Sequence, residues 1–138
     1  MKPSMEMATV WRNIRNDADV AMLVAYTFTL AKQCGFSPIA VTEITTGASE
    51  LATNIVKYAG EGVMSFSWVV VKNHEGLEVM AEDRGPGIKN LELAMSEHYS
   101  TKGTLGLGLP GTRRLADEFE ISSAAEMGTR VLFRKWKN

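Results

Sequence analysis

Two pairs of β-rich segments constrain the fold of this chain more strongly than any other sequence feature. In the first pair, residues 63–72 and 77–83 are rich in strand-forming side chains and flank a turn predicted at residues 73–76. In the second pair, strands predicted within residues 120–136 flank a turn at residues 126–128. Consecutive strands joined by short turns form antiparallel hairpins. The pattern therefore excludes a doubly wound parallel sheet, in which helices connect the strands.

Helices are predicted between the opening strand and the hairpins, and again before the last hairpin. The opening strand is expected at residues 7–14, and helical periodicity with end signals predicts helices over residues 16–35 and 37–58. A short helix at residues 91–95 and another through residues 112–117 follow. This order predicts an α+β fold, a two-layer α/β sandwich with a mostly antiparallel mixed sheet and helices on one face.

The composition indicates one domain and excludes several functional classes. Fifteen Lys and Arg residues against sixteen Asp and Glu give a formal charge of −1, so no basic field favours nucleic acid. Cys34 is the single cysteine, which excludes an intrachain disulfide or a zinc site of several thiolates. The longest uncharged apolar stretch, residues 20–31, is too short to span a membrane, and residues 1–6 lack a signal peptide's apolar core. We therefore predict one domain over residues 1–138, located in the cytoplasm and not bound to membranes.

The second predicted helix carries two polar residues with catalytic potential. Glu50 and Asn54 are four residues apart, so their side chains lie one helical turn from each other. Glu43 and Gly47 are predicted on the same face. A carboxylate can accept a proton from a reacting hydroxyl, and an amide oxygen is a hard ligand that suits Mg²⁺. Taken alone, the spacing is typical of an exposed polar face of a helix, and the functional interpretation depends on other motifs.

Two glycine-containing loops have features of nucleotide-binding loops. Asp83 ends an apolar strand, and Gly85 and Gly87 leave room for a planar ligand near the backbone. A carboxylate there can accept a hydrogen bond from the exocyclic amine of adenine and disfavours the O6 atom of guanine. Gly106 and Gly108 precede a helix, where free N–H groups favour phosphate. Neither loop has the spacing of a Walker loop or a dinucleotide fingerprint, and the first is also compatible with an ordinary turn.

In this order, the motifs resemble those of the GHKL ATPase superfamily, which has the Bergerat fold and includes gyrase B, Hsp90, histidine kinases and small bacterial serine kinases. The resemblance extends from about residue 8 to residue 136. The amino-acid sequences of the motifs are most similar to those of the small switch serine/threonine kinases of the stressosome. The motifs are Ser49–Asn54, Glu82–Ile88, Thr101–Gly103, Gly106–Leu109 and Gly128–Thr129.

The resemblance implies a role for the residues of the first two motifs. Glu50 would orient and deprotonate the acceptor hydroxyl. Asn54 would bind Mg²⁺ through its amide oxygen and so connect the protein with the ATP phosphates. Asp83 would bind the adenine amine, with Gly85 and Gly87 close to the base.

The remaining motifs would complete the ATP site. Thr129 would reach the adenine directly or through water. Gly106 and Gly108 would donate backbone N–H groups to phosphate, and Lys102 would meet the β- and γ-phosphates from a lid segment. Arg84, inside the first glycine loop, has no assigned role: an exposed charge and a phosphate or partner contact are both compatible with its position.

The resemblance also implies partners. It indicates an ATP-dependent serine/threonine protein kinase that phosphorylates STAS-domain partners of the RsbS and RsbR type on a stressosome scaffold. Once released, the kinase would activate a downstream phosphatase or another output protein. Two alternatives stay open, namely an anti-sigma-factor kinase of the RsbW type that binds a sigma subunit, and a nucleotide-sensing module without turnover.

Overall fold

A computed structural model describes residues 8–87, 108–124 and 126–137. The helix predicted at residues 91–95 lies outside the described residues. The described elements, in chain order, are β1 (Val10–Ile14), α1 (Asp17–Gln33), α2 (Pro38–Asn54), a π-helical turn (Ile55–Ala59), β2 (Gly62–Val71), β3 (His74–Asp83), α3 (Gly108–Leu115), β4 (Glu118–Ala124) and β5 (Gly128–Trp136).

The five strands form one sheet with the order β1-β2-β3-β5-β4. Every pairing among the described strands is antiparallel, so the expected mostly antiparallel sheet has no parallel pair in this part of the chain. The core joins buried side chains of α1 and α2 to one face of the sheet, represented by Leu23, Ile44, Phe66, Val79 and Phe133. The prediction of an α+β sandwich is confirmed.

The first two helices begin at the predicted capping residues. The Asn16 side chain accepts a hydrogen bond from the Asp19 N–H at 2.9 Å, and the Ser37 hydroxyl oxygen accepts one from the Ala40 N–H at 3.2 Å. Each bond satisfies an N–H group that has no partner within the helix. Local sequence therefore determines where both helices start.

The boundaries of the first hairpin and of the last described helix differ from the predictions. The turn predicted at residues 73–76 is a two-residue turn at Lys72 and Asn73, and His74 already pairs with Val71. Lys72 has φ of 56°, a left-handed conformation that lets the chain reverse within two residues. The last described helix begins at Gly108, which was predicted to belong to the preceding loop. It ends at Leu115 rather than at residue 117.

The face of α2 that carries Glu50 is also not as predicted. Gly47 is buried, and a Cβ atom built on it would lie 2.9 Å from Cζ of Phe133 on β5. Glu43 forms an ion pair with Lys135, also on β5, with 2.8 Å between Oε1 and Nζ. The predicted polar stripe therefore faces the sheet at its N-terminal end, where glycine lets α2 approach β5.

The end of the second helical segment has a conformation that helical periodicity did not predict. The segment continues to about the expected residue, but Ile55–Ala59 is π-helical. Gly60, with φ of 88°, then ends it. Single π-helical turns of this kind are frequent at functional sites because they displace the helix from regular spacing.

Helix α1 (Asp17–Gln33) contains the whole uncharged stretch of residues 20–31. Its Leu23 and Ala31 side chains are buried in the core, whereas Met22 and Phe28 are exposed. Among the described residues, no helix is both long enough and apolar enough to cross a membrane.

We expect Cys34 to be chemically inert in the folded protein. Its side chain is buried, and burial raises the pKa of the thiol from 9.0 to about 11. At pH 8 the folded thiol should react with a disulfide reagent at least about 100-fold more slowly than after unfolding in guanidinium chloride, because thiolate is the reactive form. Rapid stoichiometric labelling of the native protein would contradict this placement.

Candidate active site

A row of residues across the sheet forms one wall of the candidate site. Asp83 at the end of β3 pairs with Gly62 of β2 on one side and with Thr129 of β5 on the other. Thr129 in turn pairs with Ser123 of β4. Residues directly opposite each other in antiparallel strands project from the same face. The face is the one covered by helices, because Val79 and Ala81, which alternate with Asp83 along β3, are buried in the core.

The segment after β3 is held against the π-helical turn. The Gly85 N–H donates a hydrogen bond of 2.8 Å to Oδ1 of Asp83. A Cβ atom on Gly85 would lie 2.6 Å from Cβ of Ala59. Gly87 has φ of 78°, and the Pro86 carbonyl accepts a hydrogen bond from the Glu126 N–H. This loop therefore connects the end of α2 with the turn that precedes β5, and both glycines are required by the close approach or the backbone conformation.

Two further glycines make the row compact. A Cβ atom on Gly62 would lie 3.0 Å from Cγ2 of Ile55, so the start of the π-helical turn rests on the sheet beside Asp83. Gly128 has φ of 88°, and a Cβ atom there would overlap the carbonyl oxygen of Asp83. Asn54 immediately precedes Ile55, so it lies at the same end of the sheet as Asp83.

Glu50 lies one turn before Asn54, and both residues are half-buried. Burial raises the pKa of the Glu50 carboxyl above its ordinary value of 4.5, and the positive charge of Lys57 partly opposes this shift. A raised pKa makes the carboxylate a stronger proton acceptor. The environment of Glu50 thus suits a general base.

A half-open cavity of about 200 Å³ adjoins Glu50. It lies between α2 and α3, and most of its wall is aliphatic carbon and threonine. Its lining residues are Thr42, Glu43, Thr46, Glu50, Gly111, Arg114 and Leu115. Glu50 therefore borders a cavity whose lining comes from α2 and α3.

Gly108 is the first residue of α3, and a Cβ atom there would meet nothing within 4 Å. Its position at a helix N-terminus agrees with the predicted phosphate contact, because the first N–H groups of a helix lack intrahelical partners. Lys102 and Gly106 lie outside the described residues. Arg84 is exposed.

Sequence reasoning missed two residues that shape the site. Ala59 packs against Gly85, and Ser123 contacts Thr129 with an Oγ–Oγ1 distance of 2.8 Å. Neither has a motif of its own, and the pairing of Ser123 with Thr129 follows from the register of the last hairpin. A register prediction for β4 and β5 would have indicated the second contact.

Among the described residues, no group of three or more His, Cys, Asp or Glu side chains could hold a metal ion. The oxygen of the Asn54 amide is nevertheless a suitable hard ligand. A site with one amide ligand suits an ion that is bound mainly through phosphate oxygens and water, as Mg²⁺ is at nucleotide sites.

Comparison with known proteins identifies the class. Residues 15–135 match the model of the histidine kinase-like ATPase domain, and the chain belongs to this family. The predicted relationship to GHKL ATPases is thereby confirmed, and the family implies ATP binding.

The chain is 45% identical over 107 residues to the serine/threonine-protein kinase RsbT of Bacillus subtilis, a match that covers 78% of this chain and 80% of RsbT. It is also 30% identical over 101 residues to the anti-sigma F factor of Clostridium kluyveri, covering 69% and 70% of the two chains. The predicted enzyme class, a serine/threonine-protein kinase, is confirmed by the relationship to RsbT.

Solved structures agree with the fold. The RsbU and RsbW domains of a Mycobacterium tuberculosis protein superpose with a TM-score of 0.62 at 16% identity, covering 94% of this chain and 32% of that one. The catalytic domain of the histidine kinase ThkA superposes with a TM-score of 0.52 at 18% identity, covering 95% and 98%.

Proposed function

We propose that this protein is an ATP-dependent kinase that phosphorylates a serine or threonine of a STAS-domain partner in a stressosome partner-switching pathway, and that it then activates a downstream regulator. The observation that carries the proposal is the position of Glu50, a half-buried carboxylate with a raised pKa, one helical turn before Asn54. The 45% identity to RsbT supports this choice of reaction.

The adenine site would use Asp83 and Thr129. Their positions on adjacent strands place a carboxylate and a hydroxyl side by side at the open end of the sheet. The carboxylate would accept a hydrogen bond from the adenine amine. The lack of a side chain at Gly85 lets the loop pack against Ala59, and the base would lie beside Gly87.

The triphosphate would extend from this site toward Asn54 and the N-terminus of α3. Asn54 would hold Mg²⁺ through its amide oxygen, and the ion, when bound, would neutralise charge on the phosphates during transfer. Gly106 and Gly108 would donate backbone N–H groups, and Lys102 would add a positive charge near the β- and γ-phosphates.

Glu50 would act on the acceptor hydroxyl. As the hydroxyl oxygen forms its bond to the γ-phosphorus, its proton would pass to the Glu50 carboxylate, and ADP would leave. Phosphoryl transfer depends mainly on positioning and charge neutralisation, which fits a site made of one carboxylate, one amide and backbone N–H groups.

The proposal is tested by incubating the purified protein with Mg-ATP and a STAS-domain protein recovered with it from its native cell. Phosphoserine or phosphothreonine on that partner, located by mass spectrometry, is expected. Absence of any phosphate on the partner, although the protein binds ATP, would favour the nucleotide-sensing alternative.

Asp83→Asn is expected to weaken nucleotide binding by about tenfold or more, because the adenine amine then donates to a neutral amide oxygen in place of a charged carboxylate. Isothermal titration with Mg-ADP measures the change. Glu82→Gln is the matched control, since Glu82 is exposed and projects from the opposite face of β3. Equal affinities of the two variants for Mg-ADP would contradict the assignment of Asp83 to the adenine site.

An anti-sigma-factor function is the second candidate, and the 30% identity to the anti-sigma F factor favours it. The two functions share the nucleotide site and differ in the protein that is bound. Co-purification of a sigma subunit from the native cell, in the absence of a phosphorylated STAS protein, would support this candidate.

A single domain over residues 1–138 and a cytoplasmic location remain predictions.

A further inference from the structure

The cavity beside Glu50 continues along α2 in the direction away from Asn54. Thr42, Thr46 and Glu50 follow each other at a spacing of four residues, and all three line the cavity. Four residues advance about 6 Å along a helix axis and return to nearly the same face. Asn54 follows at the same spacing on the other side of Glu50 and is not among the lining residues. Glu50 therefore lies between the cavity and the proposed magnesium ligand.

A lysine of β5 connects the two helices that form the cavity. Nζ of Lys135 lies 2.8 Å from Oε1 of Glu43 on α2, and it donates a hydrogen bond of 2.9 Å to the carbonyl oxygen of Leu115 on α3. Glu43 and Leu115 both line the cavity. Because one ammonium group contacts both walls, the distance between them is fixed by the sheet, and the cavity is preformed.

The size and chemistry of the cavity suit one apolar side chain. Its volume is about 200 Å³, and a cavity of about 150 Å³ already holds a benzene ring. Most of its lining surface is carbon. Of the charged lining residues other than Glu50, Glu43 is paired with Lys135 and Arg114 is exposed. The cavity therefore accommodates a side chain of the size of leucine, methionine or phenylalanine, and burial of such a group favours binding.

We propose that this cavity binds an apolar side chain of the protein substrate that lies within two residues of the acceptor serine or threonine. This inference rests on the proposed function, in which the acceptor hydroxyl reaches Glu50. Thr46 lies about 6 Å from Glu50 along the axis of α2. Residues two apart in an extended segment are separated by about 6–7 Å and project to the same side. An acceptor at Glu50 thus brings a neighbouring side chain to Thr46, and the cavity selects segments with an apolar residue there.

Filling the cavity tests this inference. Thr46→Met introduces a longer, flexible apolar side chain into the cavity, and methionine is well tolerated in helices. The kcat/KM for phosphorylation of a STAS-domain protein recovered from the native cell should fall by about tenfold or more, because the substrate loses the burial of one side chain. The change should appear mainly in the KM for the partner, and the affinity for Mg-ADP in isothermal titration should stay the same.

Thr29→Met is the matched control. It makes the same exchange at an exposed position of α1 that does not line the cavity, and it should leave the kcat/KM and the ADP affinity unchanged. Thr42→Met, at an exposed position that lines the cavity, should act in the same direction as Thr46→Met. It replaces Thr46→Met if circular dichroism shows that this variant does not fold.

The partner supplies the other half of a double-mutant cycle. Mass spectrometry locates the acceptor, and each apolar residue within two positions of it is replaced by alanine in turn. One of these exchanges should lower kcat/KM by about tenfold with the unmodified kinase but have little effect with Thr46→Met, because both changes remove the same contact. Additive losses would overturn the inference, as would an acceptor without an apolar residue within two positions.

The outcomes separate this inference from the proposed function. Unchanged transfer by a folded Thr46→Met variant would overturn the inference and leave the kinase function intact. Loss of ADP binding in this variant would assign the cavity to the nucleotide, and a changed oligomeric state in gel filtration would assign it to a second copy of the chain. Either result would overturn the inference. Absence of phosphate on the partner with the unmodified protein would instead remove the proposed function, and this inference with it.

Discussion

Replacing Glu50 with glutamine is expected to reduce phosphoryl transfer to the partner by about 10²- to 10⁴-fold, the usual contribution of a general base. Glutamine has the shape of glutamate but cannot accept the proton of the acceptor hydroxyl. ADP binding should be unchanged, because Glu50 is proposed to contact the acceptor and not the nucleotide. Single-turnover transfer of labelled phosphate from ATP, together with titration by ADP, measures both quantities.

The raised pKa of Glu50 gives this prediction a pH dependence. Transfer by the unmodified protein should decline as pH falls through a value above the ordinary 4.5, because protonation removes the base. The contribution of Glu50 to folding stability changes with pH in the opposite direction. Folding favours the neutral carboxyl, so its contribution to stability is present at low pH and is lost as pH rises through the ordinary and then the folded pKa. Glu50→Gln should therefore be as stable as the unmodified protein at pH 7, or more so.

Glu43→Gln is the matched control for Glu50→Gln. Glu43 lines the same cavity but is ion-paired with Lys135 at 2.8 Å. Its replacement should affect stability without removing the base, and transfer should persist. Near-normal transfer by Glu50→Gln would contradict the assignment of the base, whereas loss of transfer in both variants would indicate that the cavity as a whole is required.

We expect Gly128→Ala to be strongly destabilising, with a loss of about 3 kcal/mol or more in the free energy of unfolding. Two costs combine at this position. A φ of 88° strains a residue with a side chain by about 1–3 kcal/mol. The added methyl group would also overlap the Asp83 carbonyl, a backbone atom that cannot move without disturbing the pairing of β3 with β5. Overpacking of this kind adds about 1–3 kcal/mol.

Gly60→Ala separates the two costs. Gly60 has the same φ of 88°, but a Cβ atom there would meet nothing within 4 Å. This variant should lose only the strain energy, about 1–3 kcal/mol, in urea denaturation followed by circular dichroism. Equal destabilisation of the two variants would mean that the contact of Gly128 with Asp83 is not as close as described.

Much of the fold was predictable because its signals are local. The caps at Asn16 and Ser37 lie at the predicted residues, and the paired β-rich segments form the two predicted hairpins, although the turn of the first hairpin is at Lys72 and Asn73. The errors occurred where local rules compete with distant contacts. Gly47 was assigned to a polar face, but the approach of Phe133 from β5 buries it.

The candidate site divides in the same way. The sequence by itself determined the order and chemistry of the motifs, because Glu50 and Asn54 are related by helical spacing and Asp83 by its place at a strand end. Only the tertiary structure decided that β5, and not β4, adjoins β3, which places Thr129 beside Asp83 and Ser123 beyond it. The physical reason is that strand neighbours and the contact of Ala59 with Gly85 depend on residues far apart in the chain, whose meeting no local periodicity encodes.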